Sequence, residues 1–282
     1  MLSKILSDTV APVLFKIGPF NVYSFGLMMG IGFLAANYVL VQEFTRKGLS
    51  PNFANELTII AVIFGIAGSK LLSLIEDWGS FLADPIGMTF SPGGLTWYGG
   101  FILAALIISW DIRRKHYKFL SVADAFGPAL ILGYGVARIG CHLSGDGDYG
   151  MPTHLPWGVD YARGILPPSE AFRDFPNIAA KFPGGIVPDH TLLHPTPIYE
   201  FFACTIIFLF LWKIRKTIKP DGKIFMLYLI LAGLERLLVE FIRLNPRLLF
   251  GLSEAQLVSI PLILIGMGGF VYLSRISGAI KK

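Results

Sequence analysis

Charge and cysteine are both scarce in this 282-residue sequence. Only 15% of the residues are charged, whereas soluble domains are usually about a quarter charged, and the mean hydropathy is +0.62. The two cysteines, Cys141 and Cys204, are too few for a disulfide framework and lack the paired spacing of a metal site. These shortages argue against a soluble domain, a disulfide-rich secreted fold and a structural zinc site.

Long apolar stretches make up about half of the chain instead. Each is close to about 20 residues, the length that crosses a bilayer as a helix. The seven stretches lie at 18–41, 56–75, 94–112, 119–138, 196–212, 224–244 and 256–274. We therefore expect an all-α polytopic membrane protein with seven transmembrane helices, and we treat residues 1–282 as a single membrane domain.

Lys and Arg are concentrated in alternate connections between these stretches. The basic connections are 42–55, 113–118, 213–223 and 275–282. Few basic residues lie in the other connections, so the positive-inside rule places the N-terminus outside and the C-terminus in the cytoplasm. The same rule accounts for the net charge of +5 without a nucleic-acid partner. Residues 142–194, rich in Gly and Pro, are then an extracytoplasmic insertion, expected to form a small irregular cap with short strands.

Several ionisable residues fall inside or at the edge of the apolar stretches, where a charge at mid-bilayer costs at least ~2.5–3.5 kcal/mol. They are Lys70, Asp124, Arg138, Glu235, Arg236, Glu240 and Arg243. Arg236, Glu240 and Arg243 follow at steps of four and three residues, so they share one helical face. Glu240 can pair with either arginine, which leaves one positive charge over. We expect a functional role for Arg236, whereas for Glu240 and Arg243 a structural ion pair and a functional role both stay open.

Arg138 ends the fourth apolar stretch within the segment GYGVARIGCHLSGDGDYG, residues 133–150. Glycines permit turns and the close approach of backbone to a ligand. A guanidinium group suits the bidentate binding of phosphate. Arg138 and Arg236, on different helices and both reachable from the outer leaflet, are therefore predicted to clamp the phosphodiester of a lipid.

Four segments together resemble, in order, the motifs of the bacterial prolipoprotein diacylglyceryl transferases. They are SPGGLTWYGG at 91–100, ARIGCHLSGDGDYG at 137–150, HPTPIYE at 194–200 and ERLLVEFIR at 235–243. The resemblance implies transfer of the diacylglyceryl group from phosphatidylglycerol to the lipobox cysteine of a preprolipoprotein signal peptide, with release of glycerol phosphate. It also implies a multi-pass protein of the bacterial inner membrane, surrounded by membrane lipids, whose active site faces the outer leaflet.

The resemblance implies roles for individual residues as well. Arg138 matches the signature arginine, Arg236 matches the essential arginine of the later helix, and Arg243 is a partner of Arg236. All three are expected to bind phosphatidylglycerol, and the first two are expected to be catalytic. The residues implied to support them are Glu240, Asp124, Gly145 and Gly150.

The chain departs from the family's pattern at several positions. Cys141 and Ser144 replace asparagines, and Asp146 replaces a glutamate. Tyr98 stands where many members have the histidine proposed as general base. Tyr98 and His142 are therefore both candidates for a catalytic proton-transfer role. His142 has the more suitable ordinary pKa, near 6.5, whereas Tyr98 has the better alignment, and the choice stays open.

Two other functions stay open at this point. A transporter or channel would use the buried charges as a polar pathway, and a membrane-embedded thiol enzyme would use Cys141 with His142. The His and Asp residues show no recognised zinc or calcium spacing, so we expect no metal site and no cofactor.

Overall fold

The computed structural model describes residues 2–91, 94 and 96–279. The α-helices within these residues are α1 Leu2–Asp8, α2 Ser24–Arg46, α3 Pro51–Glu76, α4 Trp78–Ala83, α5 Pro85–Phe90, α6 Trp97–Arg114, α7 Phe119–Ser144, α8 Pro168–Ala171, α9 Pro176–Ala179, α10 Thr196–Ile214, α11 Lys223–Val239 and α12 Glu254–Ala279. The strands pair antiparallel as β1 Val13–Ile17 with β2 Phe20–Tyr23, β3 Val159–Asp160 with β4 Leu192–Leu193, and β5 Arg247–Leu249 with β6 Leu252–Ser253. The described chain is mostly helical, in agreement with the expected class.

Seven long helices coincide with the seven predicted apolar stretches. Among the described residues, α2, α3, α7, α10 and α12 are long and apolar enough to cross a membrane. Helices α6 and α11 are shorter, with 18 and 17 residues. The chain is therefore a protein with multiple apolar helices, while the count of seven crossings and their orientation stay predictions.

Several helix boundaries differ from those predicted, and two of the differences follow from backbone pairing. The first apolar stretch begins with the β1–β2 hairpin, because Gly18, with a φ of +58°, lies in the turn between the strands. The sixth stretch ends as a regular helix at Val239 instead of residue 244. Beyond it, the backbone of Arg243 forms an isolated antiparallel bridge with Gly150, which takes these residues out of the helical path.

The described part of the chain divides into two compact units. One is drawn from residues 1–36 and 126–282, and the other from residues 37–125. In the second unit α3 and α6 pack closely, since a Cβ added to Gly68 would lie 2.7 Å from the Leu103 Cβ. The interpretation of the whole chain as a single membrane domain stays a prediction.

In the first unit, α7 packs against both α2 and α10 through small residues. A Cβ added to Gly133 would lie 3.1 Å from the Ala36 Cβ, and one added to Gly135 would lie 2.8 Å from the Cys204 Cβ. Such close approach of helix backbones is typical of membrane proteins. It brings the last turns of α7 beside the first turns of α10.

Residues 142–194, called the cap below, contain the last three residues of α7 and otherwise only short elements, as expected from their composition. The cap includes α8, α9, a 3₁₀ turn at Pro183–Gly185 and the β3–β4 pair. Its apolar side chains form a small core that also includes residues from the N-terminal segment and from the segment after α11. The core residues are Val10, Tyr149, Val159, Tyr161, Phe172, Ala179, Val187, Leu193 and Leu244. The cap is thus tied to both segments, and its extracytoplasmic location stays a prediction.

Candidate active site

The loop that follows α7, residues 145–150, is shaped by two glycines. Gly145 has a φ of +58°, and a Cβ added to it would lie 2.6 Å from the Gly164 Cα. A Cβ added to Gly150 would lie 2.9 Å from Cγ2 of Thr196 at the start of α10. Both positions require glycine, and they fix the path of the loop beside α10.

A fully buried carboxylate, Glu200 near the start of α10, lies at the centre of the site. Its Oε2 is 3.0 Å from Nε of Arg138 on α7 and 3.3 Å from Nη1 of Arg236 on α11. Arg243 donates from Nη1 to Oε1 at 2.6 Å, and the Tyr134 hydroxyl donates to Oε2 at 2.5 Å. Three guanidinium groups therefore converge on one carboxylate.

Two further carboxylates contact these arginines. Asp148 bridges Arg138 and Arg243, with one oxygen on each guanidinium group. Glu240 Oε2 lies 3.3 Å from Nη2 of Arg236 and 3.9 Å from Nε of Arg243. We call the six residues the arginine cluster: Arg138, Arg236, Arg243, Asp148, Glu200 and Glu240. Three positive groups face three acids, so the expectation of one positive charge left over is wrong, because it did not include Glu200 and Asp148.

The members of the arginine cluster differ in exposure. The side chains of Arg236 and Arg138 are 24% and 14% exposed, whereas that of Arg243 is 4% exposed. Asp148 is the most exposed member, at 30%. A ligand can therefore reach Arg236 and Arg138, while Arg243 lies behind Asp148 and the buried acids.

The charge of Asp148 is set by its neighbours. Burial would raise the pKa of this carboxyl group, but the guanidinium groups of Arg243 and Arg138 outweigh burial and hold the pKa below its ordinary value. Asp146 behaves differently, since burial and the negative charge of Asp148 raise its pKa. Asp148 is therefore an anion at neutral pH.

Cys141 lies beside the arginine cluster and near the carboxylate of Asp146. Its sulfur accepts a hydrogen bond from Nη1 of Arg138 at 3.4 Å. Cys141, Asp146 and Asp148 place possible ligand atoms within 4.8 Å of one another. However, two guanidinium groups already neutralise Asp148, and their positive charge opposes a metal ion at this position.

His142 lies four residues beyond Arg138 on α7 but in different surroundings. Its Nε2 is 2.8 Å from the Thr9 hydroxyl oxygen, and its Nδ1 is 2.9 Å from the Tyr161 hydroxyl oxygen. Because both ring nitrogens are engaged by hydroxyl groups, His142 does not make the pair with Cys141 that a thiol enzyme needs. The arrangement ties α7 to the N-terminal segment and the cap, and a catalytic role for His142 stays a prediction.

Tyr98 and Asp124 belong to the other compact unit, residues 37–125. Tyr98 is in the first turn of α6, where its ring packs edge-on against Trp97 with 5.2 Å between centroids. Asp124 is buried and pairs with Lys47 at 3.5 Å. Their site roles stay predictions. Within the motif SPGGLTWYGG, the residues outside the described part of the chain are Pro92, Gly93 and Leu95.

Sequence reasoning missed three partners of the arginines: Glu200, Asp148 and Tyr134. The motif HPTPIYE leads into the apolar stretch 196–212, which predicts a helix there but no charge partner. A carboxylate at the start of an apolar helix is nevertheless a signal, because intramembrane arginines on other helices require compensation. Asp148 has a weaker signal, because Asp146 is the same type of residue in the same loop. Only the path of the backbone decides which of the two contacts the arginines.

Comparisons of the sequence with a family pattern and with individual proteins point to the same family. The sequence pattern of the family described as "Prolipoprotein diacylglyceryl transferase" matches residues 12–272. A protein of Clostridium tetani (strain Massachusetts / E88) named "Phosphatidylglycerol--prolipoprotein diacylglyceryl transferase" is 33% identical over 258 residues, which cover 91% of this chain and 95% of the relative. A protein of the same name from Dehalococcoides mccartyi (strain ATCC BAA-2266 / KCTC 15142 / 195) is 31% identical over 270 residues, covering 94% and 95%.

Proposed function

The chain belongs to the prolipoprotein diacylglyceryl transferase family, and from this premise we propose that it transfers the diacylglyceryl group of phosphatidylglycerol to a prolipoprotein. The acceptor is the thiol of the lipobox cysteine in the signal peptide. The products are a thioether-linked lipid on the peptide and glycerol phosphate. The names of the relatives support both substrates and give no support to a transporter or channel.

The convergence of Arg138 and Arg236 on one oxygen of Glu200 carries the proposal. The two guanidinium groups come from different helices and both are partly exposed. Each guanidinium group has five N–H donors, so contact with Glu200 leaves donors for the phosphate of a lipid. Arg138, Arg236 and Arg243 all bind the phosphodiester in this proposal. The first two bind it from their partly exposed sides, and Arg243 binds it where Asp148 now contacts the guanidinium group.

The same guanidinium groups suit the chemistry of the transfer. A sulfur–carbon bond forms at the primary carbon of the diacylglyceryl group as the carbon–oxygen bond to phosphate breaks. The electron pair of the broken bond stays on the phosphate oxygen, and one proton is released from the thiol. Because negative charge grows on the phosphate, the arginines stabilise the transition state more than the bound substrate.

Deprotonation of the peptide thiol is the second requirement, because the thiolate is the nucleophile. The positive charge of the arginines favours the thiolate, and a base removes the proton. Tyr98 and His142 remain the two candidates for this base. Of these, His142 is held by two hydroxyl groups, which favours a role in packing.

The supporting residues act by holding the arginines in place. Glu240 pairs with Arg236 and Arg243 and accepts a hydrogen bond from the Asn245 amide. Gly145 and Gly150 fix the loop that carries Asp148. Asp124 acts in this proposal through its ion pair with Lys47.

The membrane arrangement follows from the same proposal. Seven helices cross the inner membrane with the N-terminus outside, and the cap covers the site on the outer side. Phosphatidylglycerol enters from the outer leaflet, where the signal peptide of a preprolipoprotein also lies. The unequal distribution of Lys and Arg supports this orientation.

A direct assay tests the function. Purified protein is mixed with phosphatidylglycerol vesicles and a peptide that contains a lipobox, and the peptide mass is followed. We expect a gain equal to one diacylglyceryl group, together with release of glycerol phosphate. A peptide with serine in place of the lipobox cysteine is the control and should stay unmodified. An unchanged mass of the cysteine peptide, combined with solute flux across the vesicles, would contradict the proposal.

A further inference from the structure

The carboxylate of Asp148 contacts two guanidinium groups in the manner of a bridging phosphate. One oxygen contacts Nη1 of Arg138 and the other contacts Nη2 of Arg243. The planar guanidinium fork matches the oxygens of carboxylate and phosphate with the same geometry. The position between these arginines is therefore suited to two oxygens of a phosphate group.

Asp148 is more exposed than Glu200, the other carboxylate that the arginines share. Glu200 is fully buried and also accepts a hydrogen bond from Tyr134 at 2.5 Å. The side chain of Asp148 is 30% exposed. An entering anion therefore meets Asp148 first, while Glu200 continues to orient the guanidinium groups.

The backbone at Asp148 is anchored independently of its carboxylate. The Thr196 hydroxyl donates to the Asp148 carbonyl oxygen at 2.6 Å, and the Asp148 N–H donates to Oδ1 of Asp146 at 3.3 Å. Neither of these two hydrogen bonds involves the Asp148 carboxylate, so rotation of the side chain does not require either of them to break.

We propose that Asp148 is an internal competitor that occupies the phosphate subsite between Arg138 and Arg243 and that the phosphate of the substrate displaces. This deepens the proposed transferase function and rests on it. The residue sets the affinity for phosphate-bearing ligands, because each ligand must replace a carboxylate already bound to two arginines. It also keeps the buried guanidinium groups compensated between turnovers, since an unpaired buried charge is costly.

Removal of the competing charge tests the proposal. In Asp148→Asn, binding of glycerol phosphate and the KM for phosphatidylglycerol are measured separately, the first through the rise of the unfolding midpoint with ligand concentration. We expect glycerol phosphate to bind at least about tenfold more tightly and the KM to fall, because hydrogen bonds to charged groups are of that strength. The matched control is Asp189→Asn, which removes a cap carboxylate that accepts from the Ser169 N–H, and wild-type affinity is expected there.

A second variant serves if Asp148→Asn does not fold even with saturating glycerol phosphate. Thr196→Val removes the hydroxyl that anchors the Asp148 backbone and leaves every charge in place. The competitor is then held less firmly, and we expect glycerol phosphate to bind at least about twofold more tightly. Unchanged or weaker glycerol phosphate binding in a folded variant overturns the proposal.

The two readouts separate the competitor from the transferase function. If the wild-type protein modifies no lipobox peptide, the proposed function fails, yet the glycerol phosphate titration still shows whether Asp148 competes. If the peptide is modified but Asp148→Asn binds glycerol phosphate no better than wild type, only the role of Asp148 is wrong. A lower KM for phosphatidylglycerol without tighter glycerol phosphate binding would mean that the substitution changed contacts with the diacylglyceryl group and not with the phosphate. This result also overturns the proposal.

Discussion

Arg138 and His142 lie four residues apart on α7, yet they face two opposite kinds of surroundings. Arg138 enters the arginine cluster, where it contacts Glu200 and Asp148. His142 is held by the hydroxyl groups of Thr9 and Tyr161 beside the apolar core of the cap. Both regions satisfy buried polar groups. Only the arginine cluster does so with charges that an anionic ligand can share, so we expect substrate binding in the cluster and structural support from the His142 region.

The most severe test of this comparison is the removal of the shared carboxylate. Glu200→Gln keeps the shape of the side chain but leaves three guanidinium groups without their common acid. Removing the charge of one partner in a buried ion pair costs about 3–5 kcal/mol of stability. The unfolding midpoint in detergent should therefore fall clearly, and transfer should be lost. Glu170→Gln in the cap is the control and should unfold like the wild type. An unfolding midpoint equal to that of the wild type for Glu200→Gln would show that the stability of the arginine cluster does not depend on the charge of Glu200.

Loss of a single exposed arginine should affect catalysis more than folding. Arg138→Gln and Arg236→Gln each remove one donor set from the departing phosphate, and we expect kcat/KM to fall by about 10²–10³. The measurement is the rate of peptide mass gain at several phosphatidylglycerol concentrations. Arg163→Gln, which changes an exposed arginine of the cap, should keep the wild-type rate. Rates within about threefold of wild type in both cluster variants would place the phosphate elsewhere.

His142 provides the contrasting prediction. His142→Gln disturbs a buried contact with Tyr161 and a partly buried one with Thr9, so the free energy of unfolding should fall by about 1–3 kcal/mol. We expect the folded variant to keep transfer within about threefold of wild type, measured well below its unfolding midpoint. If a fully folded variant loses activity as strongly as the arginine variants do, His142 is the base and the two regions form one site.

The smallest expected effect is a pH dependence in the cap. A hydrogen bond to Asp160, 2.8 Å away, raises the pKa of the exposed His190. The stabilisation is complete below the unfolded pKa of about 6.5 and is lost as the pH rises through the folded value. His190→Gln should therefore lower the unfolding midpoint slightly at pH 5.5 and leave it unchanged at pH 8.5. Equal shifts at both pH values would point to lost packing instead of lost charge.

The long helices could be predicted because they depend on local composition. A run of about 20 apolar residues predicts a helix wherever it lies in the chain, and all seven predicted stretches coincide with helices. The ends of these helices were less predictable. Whether the residues after Val239 continue the helix depends on the bridge between Arg243 and Gly150, which joins residues far apart in sequence.

The arginines of the site could also be predicted, whereas their partners could not. A charge in an apolar stretch is visible in the sequence because it is costly there, which singled out Arg138, Arg236 and Arg243. Glu200 is visible in the same way, since it lies in the apolar stretch 196–212, but its position in the sequence does not identify its partners. Which of Asp146 and Asp148 contacts the arginines depends on the turn of the loop that follows α7. Composition does not determine that turn.

The sequence by itself determined the class of the protein, its long helices, the family resemblance and the arginines that form the cluster, since hydrophobicity and isolated charge are properties of local segments. Only the tertiary structure decided which acids compensate those arginines, because pairing depends on the distances between α7, α10 and the end of α11. It also decided that Asp148 bridges two guanidinium groups while His142 is held by hydroxyl groups. Neighbouring residues of one helix acquired different roles because different parts of the chain pack against them.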